Sequence, residues 1–217
     1  MTPSHTLRED DLMKQPPKKG RSQDSRGRGP RRPRPKPPSA DAGLPIAADS
    51  TRLQLRRIDG NRFALQPPIC AIDRQEDLDE VRNMIAGGEL EIARDELLYL
   101  VSDCRGFLDA HNLLGELALE ENDISLARGH FGFAYEIGLD SLPAGFRGIL
   151  PATRDYNRPF FLAGRGVARC LIARGQRAEG REVLEKLARF DPREEHIQSL
   201  LAELAAAERE KKSPPGR

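Results

Sequence analysis

The chain has 217 residues, 35 Lys/Arg against 34 Asp/Glu, and an apolar share of 38%. That length holds one or two domains, and no apolar run approaches the ~18 residues of a membrane helix, so no transmembrane segment is expected. The near-neutral total conceals a split: residues 1–50 carry 11 basic and 6 acidic side chains, net +5, while residues 51–217 carry 24 and 28, net −4.

The N-terminal tail, residues 1–48, is rich in Pro, Arg, Lys, Gly and Ser. Between Lys14 and Lys36 it has ten basic residues and one acidic residue, Asp24. Such a segment cannot bury enough apolar surface to offset the entropy of ordering it, so disorder is expected. Its Arg26, Arg28, Arg31, Arg32, Arg34 and Lys36 are the candidates for contact with a nucleic-acid backbone, a salt-sensitive interaction. Arg32-x-x-Pro35-x-x-Pro38 also fits a polyproline ligand, while the lack of aromatic residues removes any stacking platform for bases. The first residues have no apolar core, so no secretory signal is expected.

Residues 51–68 read as a β-hairpin. Leu53 and Leu55, then Phe63 and Leu65, alternate with polar residues on either side of Asp59-Gly60, and Pro67-Pro68 closes the second strand. An isolated hairpin is marginal in water, so its Leu/Phe face is expected to lie on the first helices. Helical periodicity then predicts helices over 75–87, 89–103, 107–121, 123–137, 158–174 and 177–190, with a last amphipathic helix after Asp191-Pro192. Asp123 reads as an N-cap, Gly138 as a left-handed stop, and Asn157-Arg158-Pro159 as an N-cap with proline in the first turn. Residues 139–158 break the pattern with Pro143, Gly145, Gly148 and Pro151. Their Phe146, Ile149, Leu150 and Tyr156 are too apolar for a solvated loop, so a packed insert against Phe160 and Phe161 is expected. Residues 213–217 read as a frayed end.

Catalytic and metal sites find no support in the spacing. Cys70, Cys104 and Cys170 are scattered and odd in number, which predicts reduced thiols in a cytoplasmic protein. His111 and His130 have no Cys or second ligand pair nearby, and His111 reads as a packing residue. The Gly-Arg-Gly runs at 27–29 and 164–166 do not match a phosphate loop. Glu120-Glu121 and Glu194-Glu195 read as solvated charges, since adjacent helical residues face apart. No cofactor is expected.

The strongest signal is internal repetition. Ala93 and Ala127 are 34 residues apart and hold the same place in two copies of a helical-hairpin pattern. The second copy reads His111-x-x-Leu114-Gly115-x-x-Ala118, then Ala127-x-x-x-Phe131-x-x-Ala134; the first supplies Val81, Met84, Ala93, Leu97 and Leu100. A third copy, Val167, Ala168, Leu171, Gly175, Gly180, Leu184, Leu187 and Pro192, lies 53 residues on, one period of 34 plus an insert of 19. This pattern resembles the tetratricopeptide repeat, with His111 and Ala118 where that family has Trp and Tyr. Small residues at Gly115 and Ala127 are what two helices need to cross closely.

The resemblance implies an all-α, right-handed solenoid of about three helical hairpins (75–105, 107–139 and 158–191), with a capping helix over 192–212 and a β-hairpin on the N-terminal side. It further implies a non-enzymatic scaffold or adaptor that binds a protein or peptide. The partner-facing concave residues would be Arg82, Ile85, Asn112, Glu116, Leu119, Arg165, Arg169 and Ile172. Leu78, Leu113 and Leu162 stand where carboxylate-clamping members have Lys and Asn, so a clamp for a C-terminal carboxylate is not expected. Nucleic-acid association through the tail and an accessory role in an enzyme complex are the alternatives.

Overall fold

The computed structural model describes residues 52–212; the basic tail, with its six candidate nucleic-acid contacts, and residues 213–217 lie outside the described residues. Strands β1 (Gln54–Asp59) and β2 (Arg62–Gln66) form an antiparallel pair, with Leu55 opposite Leu65 and Arg57 opposite Phe63. The turn between them uses Gly60 at φ 43°, which glycine adopts without steric cost. Eight helices follow: α1 (Ile69–Asp73), α2 (Gln75–Gly87), α3 (Leu90–Asp103), α4 (Leu108–Glu120), α5 (Ile124–Asp140), α6 (Arg158–Ala173), α7 (Arg177–Phe190) and α8 (Glu195–Lys212). Each packs against the next in sequence, and α4 also packs against α6.

Small residues set these crossings. A Cβ added at Gly115 on α4 would lie 2.7 Å from the ring of Phe131 on α5, and one at Gly166 on α6 would strike the same ring. Phe131 is thus wedged between α4 and α6, and Ala127, one turn before it, is fully buried. Gly164 faces Leu187 and Tyr135 in the same manner. The glycines of the 164–166 run are therefore packing residues within α6.

Three local expectations give way. Gly138 does not stop α5, which continues to Asp140; a side chain there would collide with the Phe160 ring, so this glycine serves a close helix approach. Glu194 is not a free solvated charge, because Ile197 N–H donates to its carboxylate at 2.5 Å and Arg165 approaches at 3.7 Å. Glu121 is exposed, as expected, and pairs with Arg94 of α3. The five-residue α1 has no forerunner in the periodicity, being shorter than the window that reveals a helical period.

The β-hairpin lies on the insert rather than on the first helices. Phe63 N–H donates to the Ile149 carbonyl at 2.8 Å and Ile149 N–H donates to the Asn61 carbonyl at 2.8 Å, so the insert pairs in parallel with β2. Asn157 completes the joint. Leu65 N–H donates to its Oδ1 at 2.8 Å, while its Nδ2 donates to the carbonyls of Phe63 at 3.0 Å and Pro151 at 3.1 Å. Its side chain is fully buried; Asn157 holds the N-cap position of α6 with Pro159 in the first turn, as expected, but its amide makes no cap bond.

The insert is packed, as its composition predicts. Leu150 is fully buried and its N–H donates to the Phe190 carbonyl at 2.9 Å; Phe146 meets Phe63 at 5.2 Å and Phe190 at 6.1 Å between ring centroids. Phe190 in turn meets Phe160 at 5.8 Å, which joins the insert to α6. Tyr156 departs from the expectation and is half exposed. The core divides in two along α4. Ala110, Leu114 and Leu117 pack with Leu78, Val81, Leu97 and Leu100, whereas Leu108 and Ala118 pack with the hairpin, the insert and α5 to α8.

The cysteines also differ from expectation. Cys70 in α1 and Cys104 at the C-terminal cap of α3 form a disulfide with a Cα separation of 5.7 Å, and Cys170 alone is free and buried. Their sequence separation, 34, equals the spacing of Ala93 and Ala127. The bond joins α1 to the C-terminal end of α3, and that proximity is invisible in a count of scattered cysteines.

Candidate functional site

A groove runs along the faces of α2, α4, α6 and α8. Its first stretch, about 740 Å3, lies among the hairpin (Leu53, Leu65), α1 (Ala71, Ile72), α2 (Arg82), α4 (Asp109, Asn112, Glu116) and the start of α6 (Arg158, Leu162). Its second stretch, about 630 Å3, lies between α6 (Arg165, Arg169, Ile172) and α8 (Leu200, Leu204, Ala207). The two meet at Glu116 and Leu162, which line both.

Of the eight residues the sequence places on this face, six line the groove: Arg82, Asn112, Glu116, Arg165, Arg169 and Ile172. The other two do not. Ile85 packs against the core around α2 and α3, and Leu119 against the core around α5, both half-buried. The helical period in each case turns them one step too far toward the neighbouring helix. The sequence reading also missed Asp109, Asp155, Tyr156 and Arg158, because it did not bring the insert and hairpin to the groove mouth. No periodicity carries that information; the joint at Asn157 does.

The polar groups are only loosely engaged with one another. Arg82 pairs closely with Asp79 at 2.5 Å and reaches Asp109 at 3.6 Å; Arg169 and Glu116 are 3.8 Å apart, both more than half exposed. Exposed pairs of that length hold one another weakly, which leaves the charges available to a ligand. Burial pushes the Asp109 carboxyl above the usual carboxylate range, against the pull of Arg82 and Arg158. Asn112 is buried; its Nδ2 donates to the Pro159 carbonyl at 2.9 Å, and its Oδ1 has no hydrogen-bond partner among the described residues.

A larger concavity of about 1250 Å3 lies between Arg62, the insert and the α7–α8 loop. Two of its acidic groups are already committed to the fold. Asp191 accepts from the Ala152 N–H at 2.8 Å and the Arg193 N–H at 3.1 Å, and Glu194 caps α8.

His111 and His130 lie away from the groove. His111 is 7% exposed, its ring 4.7 Å from Phe133 and 5.8 Å from His130, with no hydrogen-bond partner for either nitrogen among the described residues. Burial, and secondarily His130, holds its imidazole down to about 4, so it is a neutral packing group at ordinary pH. Among the described residues no cluster of three or more His, Cys, Asp or Glu could hold a metal ion, and no helix is long and apolar enough to cross a membrane.

No protein-family model matches this chain, and no curated protein matches it significantly.

Proposed function

We propose that this chain is a protein-binding adaptor of the tetratricopeptide type, a stack of about three helical hairpins that holds a partner segment in the groove along α2, α4, α6 and α8. The observation that carries the reading is the continuity of that groove through Glu116 and Leu162, with six residues assigned by repeat position lining it. The successive helix pairing, with α4 against α6, and the buried Ala93, Ala127 and Gly180 at equivalent places support the stacked arrangement. Apolar floor residues Leu162, Ile172, Leu200 and Leu204 would take the partner's apolar side chains, and the loosely paired arginines and carboxylates its polar ones. Leu113 and Leu162 line the groove as apolar residues, which fits an internal segment better than a terminal carboxylate.

A cytoplasmic location belongs to the same proposal only if the Cys70–Cys104 bond is not permanent, because a reducing cytoplasm keeps thiols free.

The test is affinity capture followed by binding measured with the purified partner. Wild type and an Ile92→Asp variant on the exposed face of α3 are expected to bind equally, and Ile172→Asp combined with Arg169→Glu to lose at least tenfold. Equal affinity of all three proteins would place the binding surface elsewhere.

A further inference from the structure

We propose that the Cys70–Cys104 disulfide is a redox latch on the hairpin-side wall of the groove: exchange with a dithiol reductant frees α1 and opens that wall while α5 to α7 keep their packing. The latch itself stands on the geometry of α1; its consequence for a partner rests on the groove reading above.

A five-residue helix has no stability of its own in water. Tertiary contacts must hold α1, and it makes few. Only Ala71 is fully buried, while Ile69 and Ile72 are 60% and 44% exposed, and α2 is the one helix it packs on closely. Its C-terminal end is tied by Arg74, which pairs with Asp77 at 3.1 Å and Asp103 at 3.2 Å and lies over the Tyr99 ring. Those ties are part-exposed and individually weak. The N-terminal end depends on Cys70, bonded to the fully buried Cys104 at the junction of α3 and α4. Ala71 and Ile72, directly after Cys70, line the first stretch of the groove with Phe107 and Leu108.

The chemistry follows from unequal burial. Cys70 is half-buried and Cys104 fully buried, so a reductant thiolate reaches the Cys70 sulfur. The S–S bond breaks, Cys104 leaves and takes a proton, and Cys70 is held in a mixed disulfide. The second thiol of the reductant attacks that mixed disulfide and releases Cys70. Two electrons and two protons pass to the protein, and the reductant ends as its own disulfide. Cys170, free and buried, is not placed to intervene. With the bond gone, the buried Pro68 and Ala71 and the Arg74 ties remain to hold α1, and the segment 67–74 opens locally rather than with the whole fold.

The test is hydrogen exchange on the full chain, oxidised with glutathione disulfide or reduced with dithiothreitol, and on a Cys70→Ser variant. The latch predicts that amides over 69–74 exchange at least tenfold faster in the reduced chain and in the variant, with α5 to α7 unchanged. Equal rates over 69–74 in the oxidised and reduced chains would overturn it. So would loss of protection in every helix at once on reduction, or failure of glutathione disulfide to join Cys70 to Cys104 at all. None of these readouts needs a ligand, so failure to find a groove partner would defeat the adaptor reading and leave the latch standing.

Discussion

At the scale of single residues, the helix crossings rest on side chains that are missing. Gly115 leaves room for the Phe131 ring, and a leucine there would have to displace a ring already wedged against Gly166. Gly115→Leu is expected to lower stability by about 1–3 kcal/mol or more through overpacking, read as a fall in melting temperature. An unchanged melting temperature would mean that α4 and α5 do not cross there. The pattern that exposes Gly115 is local, which is why the sequence shows it. Gly138 was misread because glycine serves both left-handed stops and close packing, and only the distant Phe160 ring distinguishes the two uses. His111 gives a second residue-level prediction. Its folded-state pKa of about 4 lies below the ordinary 6.5, so the unfolded chain takes up the proton first on acidification. The stability that depends on its neutral form is present above pH 6.5 and is lost as pH falls through 4, at most about 3 kcal/mol. Melting curves between pH 7 and 4 are expected to fall less steeply in His111→Phe than in wild type; parallel slopes would show that His111 is not the buried titrating group.

Among the elements, helices long enough to show a period agree with the sequence to within a few residues, and shorter or long-range features do not. The hairpin's own alternation and turn residues predict its strands, but nothing in 52–66 says what it will lie on. That is decided by Asn157, nearly a hundred residues on, whose amide saturates backbone groups of both β2 and the insert. An Asn before Arg-Pro reads locally as a helix cap, and Asn157 does hold that position, but its buried amide bonds three distant backbone groups instead of the first turn. Asn157→Ala removes all three bonds and strands the Leu65 N–H in a buried site. An unpaired buried donor costs roughly 1–3 kcal/mol, so β2 amides are expected to exchange faster than wild type while α2 and α3 are unaffected. Unaltered protection of Phe63 and Leu65 would mean that the strand is held by its partner strand alone.

Across the whole described chain, the division of the core along α4 decides how the parts depend on each other. On one side, α1 to α3 bury Leu78, Val81, Leu97 and Leu100 against α4; on the other, the hairpin, the insert and α5 to α8 close around Phe131, Phe160 and Leu187. The insert belongs wholly to the second side. It pairs with β2 through Ile149, with the end of α7 through Leu150, and with the following loop through the Ala152 N–H on Asp191. Replacing residues 143–152 by a Gly/Ser linker would therefore remove the hairpin's support and one of the contacts that hold α7 against α6 in a single change. Hydrogen exchange is expected to quicken in β1, β2, α6, α7 and α8, while Leu97 and Leu100 on α3 keep their protection, since none of their packing partners is touched. The groove should widen at both ends in that variant, because Leu65 and the α6–α8 walls line it. Loosening that spreads evenly into α2 and α3 would show that the two clusters fold as one unit. Unchanged exchange throughout would show that the aromatic contacts among Phe63, Phe146 and Phe190 contribute nothing to holding the second half together.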